Sequence, residues 1–296
     1  MGTGWSLRAV SPPAGTAQGV QAALDRVVAQ MSQWEPASDI SRFNRSQAGQ
    51  WQMLPPEFTA VLKAALEVKA ASGGAFDPAM GVFTELWGFG ASPAPAEPPG
   101  DIAITAALAG KGATELDAAG LRARRTGSAQ LDFSGIAKGF GVDLAAGWLL
   151  ANGVRHFLLE VGGELRGEGL KPDGQPWWVD MEAPPVDGEL PPVAPIRIAL
   201  HRLAVATSGD YRRWLEADGK RFGHTLDPRT GRPVQNRVRS VTVLHTSCML
   251  ADAWATALGV LGPGEGMAFA ERLGLAVQMI TDEAELLSSP LAAMLD

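Results

Sequence analysis

The stretch 131–142, LDFSGIAKGFGV, places the strongest condition on what this chain can fold into. Its apolar start closes on Asp132, small residues follow at Ser134 and Gly135, and an apolar helical pattern opens around Lys138. A strand that turns through small residues into a helix start brings unpaired backbone N–H groups and the positive end of the helix dipole to one place. Such a turn suits phosphate, so the sequence predicts a diphosphate cradle here, with Lys138 adding a point charge.

The segments around this turn set the fold class. Val20, Leu24, Val27, Val28 and Met31 recur on one face of a predicted helix over 19–31. Phe58, Val61, Leu62, Ala65 and Leu66 do the same over 55–72, where Gly73 and Gly74 stop the helix. Further helices are predicted at 102–108 and 140–151, and strands at 157–161, 177–179, 195–200, 203–206, 238–244 and 275–280. Strands interspersed with helices but joined by short hairpins favour an α+β fold, with mixed, largely antiparallel sheets and packed helices, over a doubly wound parallel sheet. The proline-rich segment 91–100, ASPAPAEPPG, reads as an extended, exposed connector and as the candidate lobe boundary within one domain over 1–296.

Composition narrows the function. With 46% apolar residues, 296 residues can bury the core of one large domain or of two intimate lobes. A net charge of −7 offers no basic stripe for nucleic acid or an anionic membrane. The single cysteine, Cys248, can form neither an internal disulfide nor a thiolate cluster and reads as a small core residue. No apolar run approaches the roughly 20 residues of a membrane span, and the start lacks a secretory n-region and h-region. As written the sequence reads as cytoplasmic; a trimmed leader would make it periplasmic or membrane-anchored.

Several other positions carry oxygen ligands or close backbone. Asp77 precedes Pro78, a pairing that holds it extended and presents its carboxylate with the backbone of Ala75 and Phe76. Trp34, Phe76 and Trp87 are expected as exposed aromatics for a ligand with flat rings; the competing reading makes the loop after Gly74 a plug for a core edge. Gly162 and Gly163 end a buried strand, where a ligand can approach the backbone closely. Asp252 and Thr256 stand four residues apart on one helix face, a spacing that lets both oxygens reach one hard cation; the competing reading is an acidic residue at a helix N-terminus. A phosphate loop ending in Lys and Ser or Thr, a His-Glu zinc motif and a nucleophile elbow are all absent from the sequence. The oxygen set therefore points to magnesium-dependent handling of a nucleotide-like diphosphate.

Nine blocks in order, MGTGWS, MSQWEPASDISRFN, GAFDPAMG with LWGFG, DFSGIAKGFGVD, LLEVGGELRGEG, ATSGDYRRW, HTLDPRTGRPV, SVTVL and ADAWATAL, resemble the ApbE family of FAD:protein FMN transferases. The resemblance implies a two-lobed unit that takes FAD as substrate with Mg2+ and transfers FMN to a Thr or Ser hydroxyl of an acceptor protein, releasing AMP. It implies that Met1 and Trp34 line the FAD pocket, that Ala75, Phe76 and Asp77 grip the cofactor, and that Ser134 and Phe140 flank it. It further implies magnesium ligands in the Ala137 carbonyl, Asp252 and Thr256, and a proton-moving role for His224. Phe133 and Thr225 depart from the family pattern without touching that chemistry. An FAD diphosphatase using water as acceptor, and an FAD-binding protein without turnover, remain open as alternatives.

Overall fold

The structure is a computed structural model describing residues 2–184, 195–211, 213–217 and 219–295. By internal packing the chain forms two units, one from Met1–Val27, Gly135–Tyr211 and Asn236–Asp296, the other from Val28–Ser134 and Arg212–Gln235. The chain passes between them inside the opening motif, after Ser134. Residues 91–100 lie within the second unit and mark no crossing, although they run without regular structure.

The first unit is built on a seven-stranded sheet in which every neighbouring pair is antiparallel. Its spatial order is Trp5–Ala9, Phe157–Val161, Glu164–Glu168, Leu203–Gly209, Val238–His245, Ala276–Thr281 and Glu285–Leu287. Period-two alternation divides its faces. Phe157, Leu159 and Val161 pack with Val142, Ala145 and Leu149 of the helix Ala137–Ala151 and with Val20 and Leu24. Leu158, Val205 and Leu244 point the other way, onto Trp177, Ile198 and Leu200 of the hairpin Trp177–Asp180 and Arg197–Leu200. Fully burying each large apolar side chain contributes about 1.5–3 kcal/mol. Cys248 lies at 0% exposure in the first of these cores, as its composition reading expects.

The span Cys248–Leu273 holds two helical stretches that meet at a kink at Gly262 and Pro263. Pro263 has no N–H for the Gly259 carbonyl, and Asn236 Nδ2 donates to that carbonyl instead at 2.7 Å. Gly262 sits at φ 79°, in the left-handed region that glycine tolerates.

In the second unit the helix Pro56–Ala71 buries Phe58, Val61, Leu62, Ala65 and Val68 and ends before Gly73 and Gly74, both at positive φ. The helix Asp39–Arg45 lies earlier in the chain, with Ser38 Oγ accepting the Ser41 N–H and Ile40 and Phe43 as its large buried apolar residues; it starts among Pro36, Ser38 and Asp39, residue types that by themselves suit a turn. Two such residues carry too short a period to announce a helix. The strands Gln52–Met53, Arg122–Arg125 and Thr114–Asp117 form a small sheet. Met80, Phe83, Trp87, Phe89, Ile104 and Leu226 form a core cluster.

Three expectations change here. Residues 131–133 pair with no strand: the Asn44 side chain brackets Leu131 through both its backbone N–H and its carbonyl, and Asp132 Oδ1 accepts the Ser134 N–H at 2.7 Å. Asp132 therefore folds the turn. Trp87 and Phe76 are 3% and 5% exposed, so of the three expected aromatics Trp34 alone is open to solvent, at 51%. Trp87 Nε1 donates to the Gly231 carbonyl at 2.8 Å, and the segment after Gly74 is the core plug of the competing reading.

Candidate functional site

In the first unit, two helices exchange their caps. The helix Ala137–Ala151 starts after Ile136, which offers no capping side chain. Its Gly139 N–H, one of the first-turn donors without an intrahelical partner, reaches Asp252 Oδ2 at 3.0 Å. In return Asp143, on that same helix, receives the Cys248 and Met249 N–H groups at 3.0 Å each and the Ser247 hydroxyl at 2.7 Å, at the start of the helix Cys248–Leu273. Arg166 ties Asp143 from the sheet at 2.8 Å. Asp252 lies beyond the first turn of its own helix, so the competing reading of it as that helix's terminal acid is replaced by a cap across to the other helix.

Gly139 makes this approach feasible. A Cβ there would stand 2.3 Å from the Cys248 carbonyl oxygen and 2.9 Å from Asp252 Cβ. Ala137 opens the helix two residues earlier, and Thr256, half-buried, follows Asp252 by one turn. The three expected magnesium ligands thus sit on the first turn of one helix and on the helix that caps it.

Lys138 ion-pairs with Glu164 and stands 3.8 Å from Asp252 Oδ1. Sequence reasoning did not single out Glu164; its signal was a lone acid just after the glycine pair, on the strand Glu164–Glu168. Burial, against the pull of Lys138, raises the Glu164 carboxyl to about 7. Burial also raises Asp252, against Lys138 and the Gly139 N–H. Lys138 is itself raised: desolvation would lower it, and the charges of Asp252 and Glu164 outweigh that. Lys138 is therefore the counter-ion of two buried acids.

These residues fit a magnesium ion. A single ammonium against two carboxylates leaves the cluster one formal negative charge in excess, and Glu164 Oε2 is buried without a hydrogen-bond partner among the described residues. One carboxylate with a hydroxyl and a carbonyl is a hard, oxygen-only set that leaves positions for substrate phosphate. Among the described residues no group of three or more His, Cys, Asp or Glu is placed to hold a metal ion. Cys248, its thiol pushed well up by burial, takes no part as a thiolate.

Gly162 and Gly163 form the turn between Phe157–Val161 and Glu164–Glu168, at φ 62° and 102°. The close approach expected at Gly162 is met by Thr3, whose side chain comes within 2.7 Å of a Cβ built there, and the Gly163 N–H goes to Glu160 Oε1 at 2.8 Å. Phe140 is half-buried on the first turn of the helix Ala137–Ala151. Met1 lies outside the described residues.

The second unit holds the remaining positions. Asp77, expected to present its carboxylate, is buried: Oδ2 meets Lys111 at 2.8 Å and Lys69 at 2.9 Å, and Oδ1 accepts the Ala79 N–H at 2.9 Å. Burial alone would raise this carboxyl; Lys111, Ala79 and Lys69 together hold it below the ordinary value. Lys111 also donates to the Pro228 carbonyl at 3.2 Å. Ala75 is buried, and the Phe76 N–H is taken by Ser72 Oγ at 3.1 Å. Ser134 is exposed. His224 is half-buried after the hairpin Trp214–Ala217 and Lys220–Gly223, with Nδ1 3.2 Å from the Arg213 carbonyl oxygen. Asp227, in the turn that follows, is engaged by the Arg229 guanidinium and backbone N–H.

Known proteins resemble this chain in sequence and in fold. A family model described as the ApbE family matches residues 1–280. A curated relative from Vibrio cholerae, named FAD:protein FMN transferase, is 38% identical over 286 residues, covering 95% of this chain and 85% of the relative. One from Haemophilus influenzae with the same name is 36% identical over 271 residues, covering 90% and 78%. Among solved structures, the flavin transferase ApbE from Vibrio cholerae superposes with a TM-score of 0.90 at 36% identity, covering 100% of this chain and 96% of that one. The Pseudomonas stutzeri flavinyl transferase ApbE in its apo form gives 0.89 at 36% identity, covering 98% and 93%. With a family match over nearly its whole length and solved relatives that share its fold from end to end, this chain belongs to the ApbE family.

Proposed function

We propose that this chain transfers FMN from FAD to a Thr or Ser hydroxyl of an acceptor protein, with magnesium, and releases AMP. The observation that carries the reading is Asp252: a carboxylate 4% exposed, relieved of capping its own helix by Asp143 and set at the start of another helix with Ala137 and Thr256. The names of the relatives support the choice of FAD as substrate.

In this reading Asp252 Oδ1, the Thr256 hydroxyl and the Ala137 carbonyl hold the magnesium, which when bound neutralises diphosphate charge and steadies the leaving phosphate. Lys138 keeps the two buried acids in place. Trp34 supplies an open aromatic face for the flavin or adenine ring, with Met1, Ala75, Phe76, Ser134, Phe140, Gly162 and Gly163 shaping the cofactor's surroundings. Asp77, neutralised by two lysines, organises its loop, so that the loop's contribution comes through backbone. The acceptor hydroxyl oxygen bonds to the phosphorus on the FMN side, the phosphoanhydride bond breaks, AMP departs with that bridging oxygen, and the hydroxyl proton passes to His224. Such a transfer depends on positioning and charge neutralisation more than on a protein nucleophile.

Incubation with FAD, MgCl2 and a candidate acceptor tests the reading. Mass spectrometry should find one added FMN on a Thr or Ser, with AMP formed in equal amount and no label when EDTA is present. FMN and AMP formed equally with or without acceptor would replace it by the diphosphatase reading. FAD bound without any product, whatever the acceptor, would leave a binding protein. His224→Gln should lower the transfer rate by about 10²–10⁴-fold with FAD affinity kept.

A further inference from the structure

We propose that Glu164 is a positioning residue for the magnesium site: its carboxylate draws the Lys138 ammonium away from Asp252 and so leaves Asp252 Oδ1 for the ion. The inference rests on the magnesium reading above and deepens it by naming a residue that acts on the site through Lys138.

Glu164 reaches its place through the glycine turn. Val161 faces Glu164 at the mouth of the hairpin of Phe157–Val161 and Glu164–Glu168, and Gly162 and Gly163 close it in two residues, both at positive φ. A turn of that length fixes the register of the strands it joins, and with it the face on which each side chain lies. The Gly162 N–H donates to the Gly4 carbonyl at 3.1 Å, which ties the turn to the chain entering the strand Trp5–Ala9. Glu164 is held there at 1% exposure, where a carboxylate is costly unless a cation meets it. Lys138 does so, through Oε1. Oε2 has no hydrogen-bond partner among the described residues, so the charge of Glu164 is answered by the lysine rather than by a ring of neutral donors.

Lys138 is placed between two acids and is given to one of them. Its neighbour Gly139 is bonded to Asp252 Oδ2, so the root of the lysine side chain is fixed relative to that carboxylate. The ammonium nevertheless donates to Glu164 and stands 3.8 Å from Asp252 Oδ1, beyond hydrogen-bond reach. Without the Glu164 carboxylate, Asp252 is the strongest attraction left to it in this cluster. An ammonium in contact with Oδ1 would occupy the oxygen that the ion needs, and two cations at one carboxylate repel each other. Glu164 therefore favours the ion in two ways, by its own charge and by where it keeps the lysine. The second depends on the length of its side chain, which makes it separable from the first.

The test titrates MgCl2 into the full chain saturated with FAD, without acceptor, and follows binding by calorimetry, with melting in EDTA as the check on folding. Glu164→Gln and Glu164→Asp should each weaken magnesium binding about ten- to a hundredfold, the first by releasing the ammonium and the second because the shortened carboxylate falls short of it. Glu164→Gln combined with Lys138→Met should bring the affinity back to that of the parent chain. That exchange removes both charges of the pair together, a change that buried ion pairs tolerate. Should Glu164→Gln alone melt too low to measure, Glu164→Asp and the double variant carry the decision. Parent-like binding in Glu164→Asp would reduce the effect to net charge and overturn the inference. A double variant that binds ten- to a hundredfold below the parent would overturn it too, because a merely structural role is not rescued by removing the lysine. A parent chain that binds no magnesium would overturn the magnesium reading and this inference with it. Magnesium bound as expected, with no acceptor labelled in the transfer assay, would refute the transfer reading and leave the role of Glu164 standing.

Discussion

Asp143 and Asp252 cap each other's helices: Asp143 receives the first N–H groups of the helix that carries Asp252, and Asp252 receives the Gly139 N–H of the helix that carries Asp143. The exchange locks the two helices in register at their N-termini, where the dipoles favour negative charge. It also divides the labour between the two acids. Asp143 is bound on both oxygens by protein donors, whereas among the described residues Asp252 Oδ1 has Lys138, at 3.8 Å, as its nearest charged partner.

This division sets opposite outcomes for Asp252→Asn with and without metal. Asparagine still accepts the Gly139 N–H and removes a carboxylate whose ionisation burial opposes. Its melting temperature in EDTA should therefore equal or exceed that of the parent chain. The stabilisation gained on adding MgCl2 with FAD should disappear, and transfer with it. A variant that melts lower in EDTA and still gains from magnesium would refute this assignment.

Asp143→Ala leaves two N–H groups and a hydroxyl at a helix start without their acceptor, and Arg166 without one of its two carboxylates. The expected loss is about 3 kcal/mol in urea unfolding, with Asp143→Asn losing less than half as much because one acceptor oxygen remains.

At Gly139 the neighbour is backbone, which cannot swing aside. Gly139→Ala should cost about 2–3 kcal/mol and weaken magnesium binding in calorimetry, since the helices must part to admit the methyl group. Gly147→Ala on the same helix, where a Cβ meets nothing within 4 Å, should leave both unchanged.

Asp77 predicts an acid limb of stability. Its folded-state pKa lies below 3.8, held there by Lys111, the Ala79 N–H and Lys69 against burial. The unfolded chain therefore takes up its proton first as pH falls. The stability that Asp77 contributes is full above 3.8, declines below it, and is gone once pH has passed the folded-state value. Urea midpoints should fall less steeply below about pH 4 in Asp77→Asn than in the parent chain. Lys111→Met should cost about 3 kcal/mol near neutral pH, because the buried carboxylate keeps only Lys69 as a charged partner.

Much of this was legible in the sequence, for specific reasons. The apolar period of Phe58, Val61, Leu62 and Ala65 announced its helix, and Phe157–Val161 announced a buried strand with its true limits. The helix Asp39–Arg45 escaped because two buried apolar residues make no period. Trp87 was misread as exposed, since composition cannot tell an aromatic that plugs a core from one that waits for a ligand.

By itself, the sequence determined the α+β class, the family, and an oxygen pair four residues apart on a helix face. Tertiary structure alone decided which acid caps and which stays open, where Lys138 spends its charge, and that Glu164 shares it. The physical reason is that periodicity records which face of an element is apolar, whereas hydrogen-bond partners and desolvation depend on which residues meet in space. Gly139 and Asp252, 113 positions apart, meet only in the folded chain.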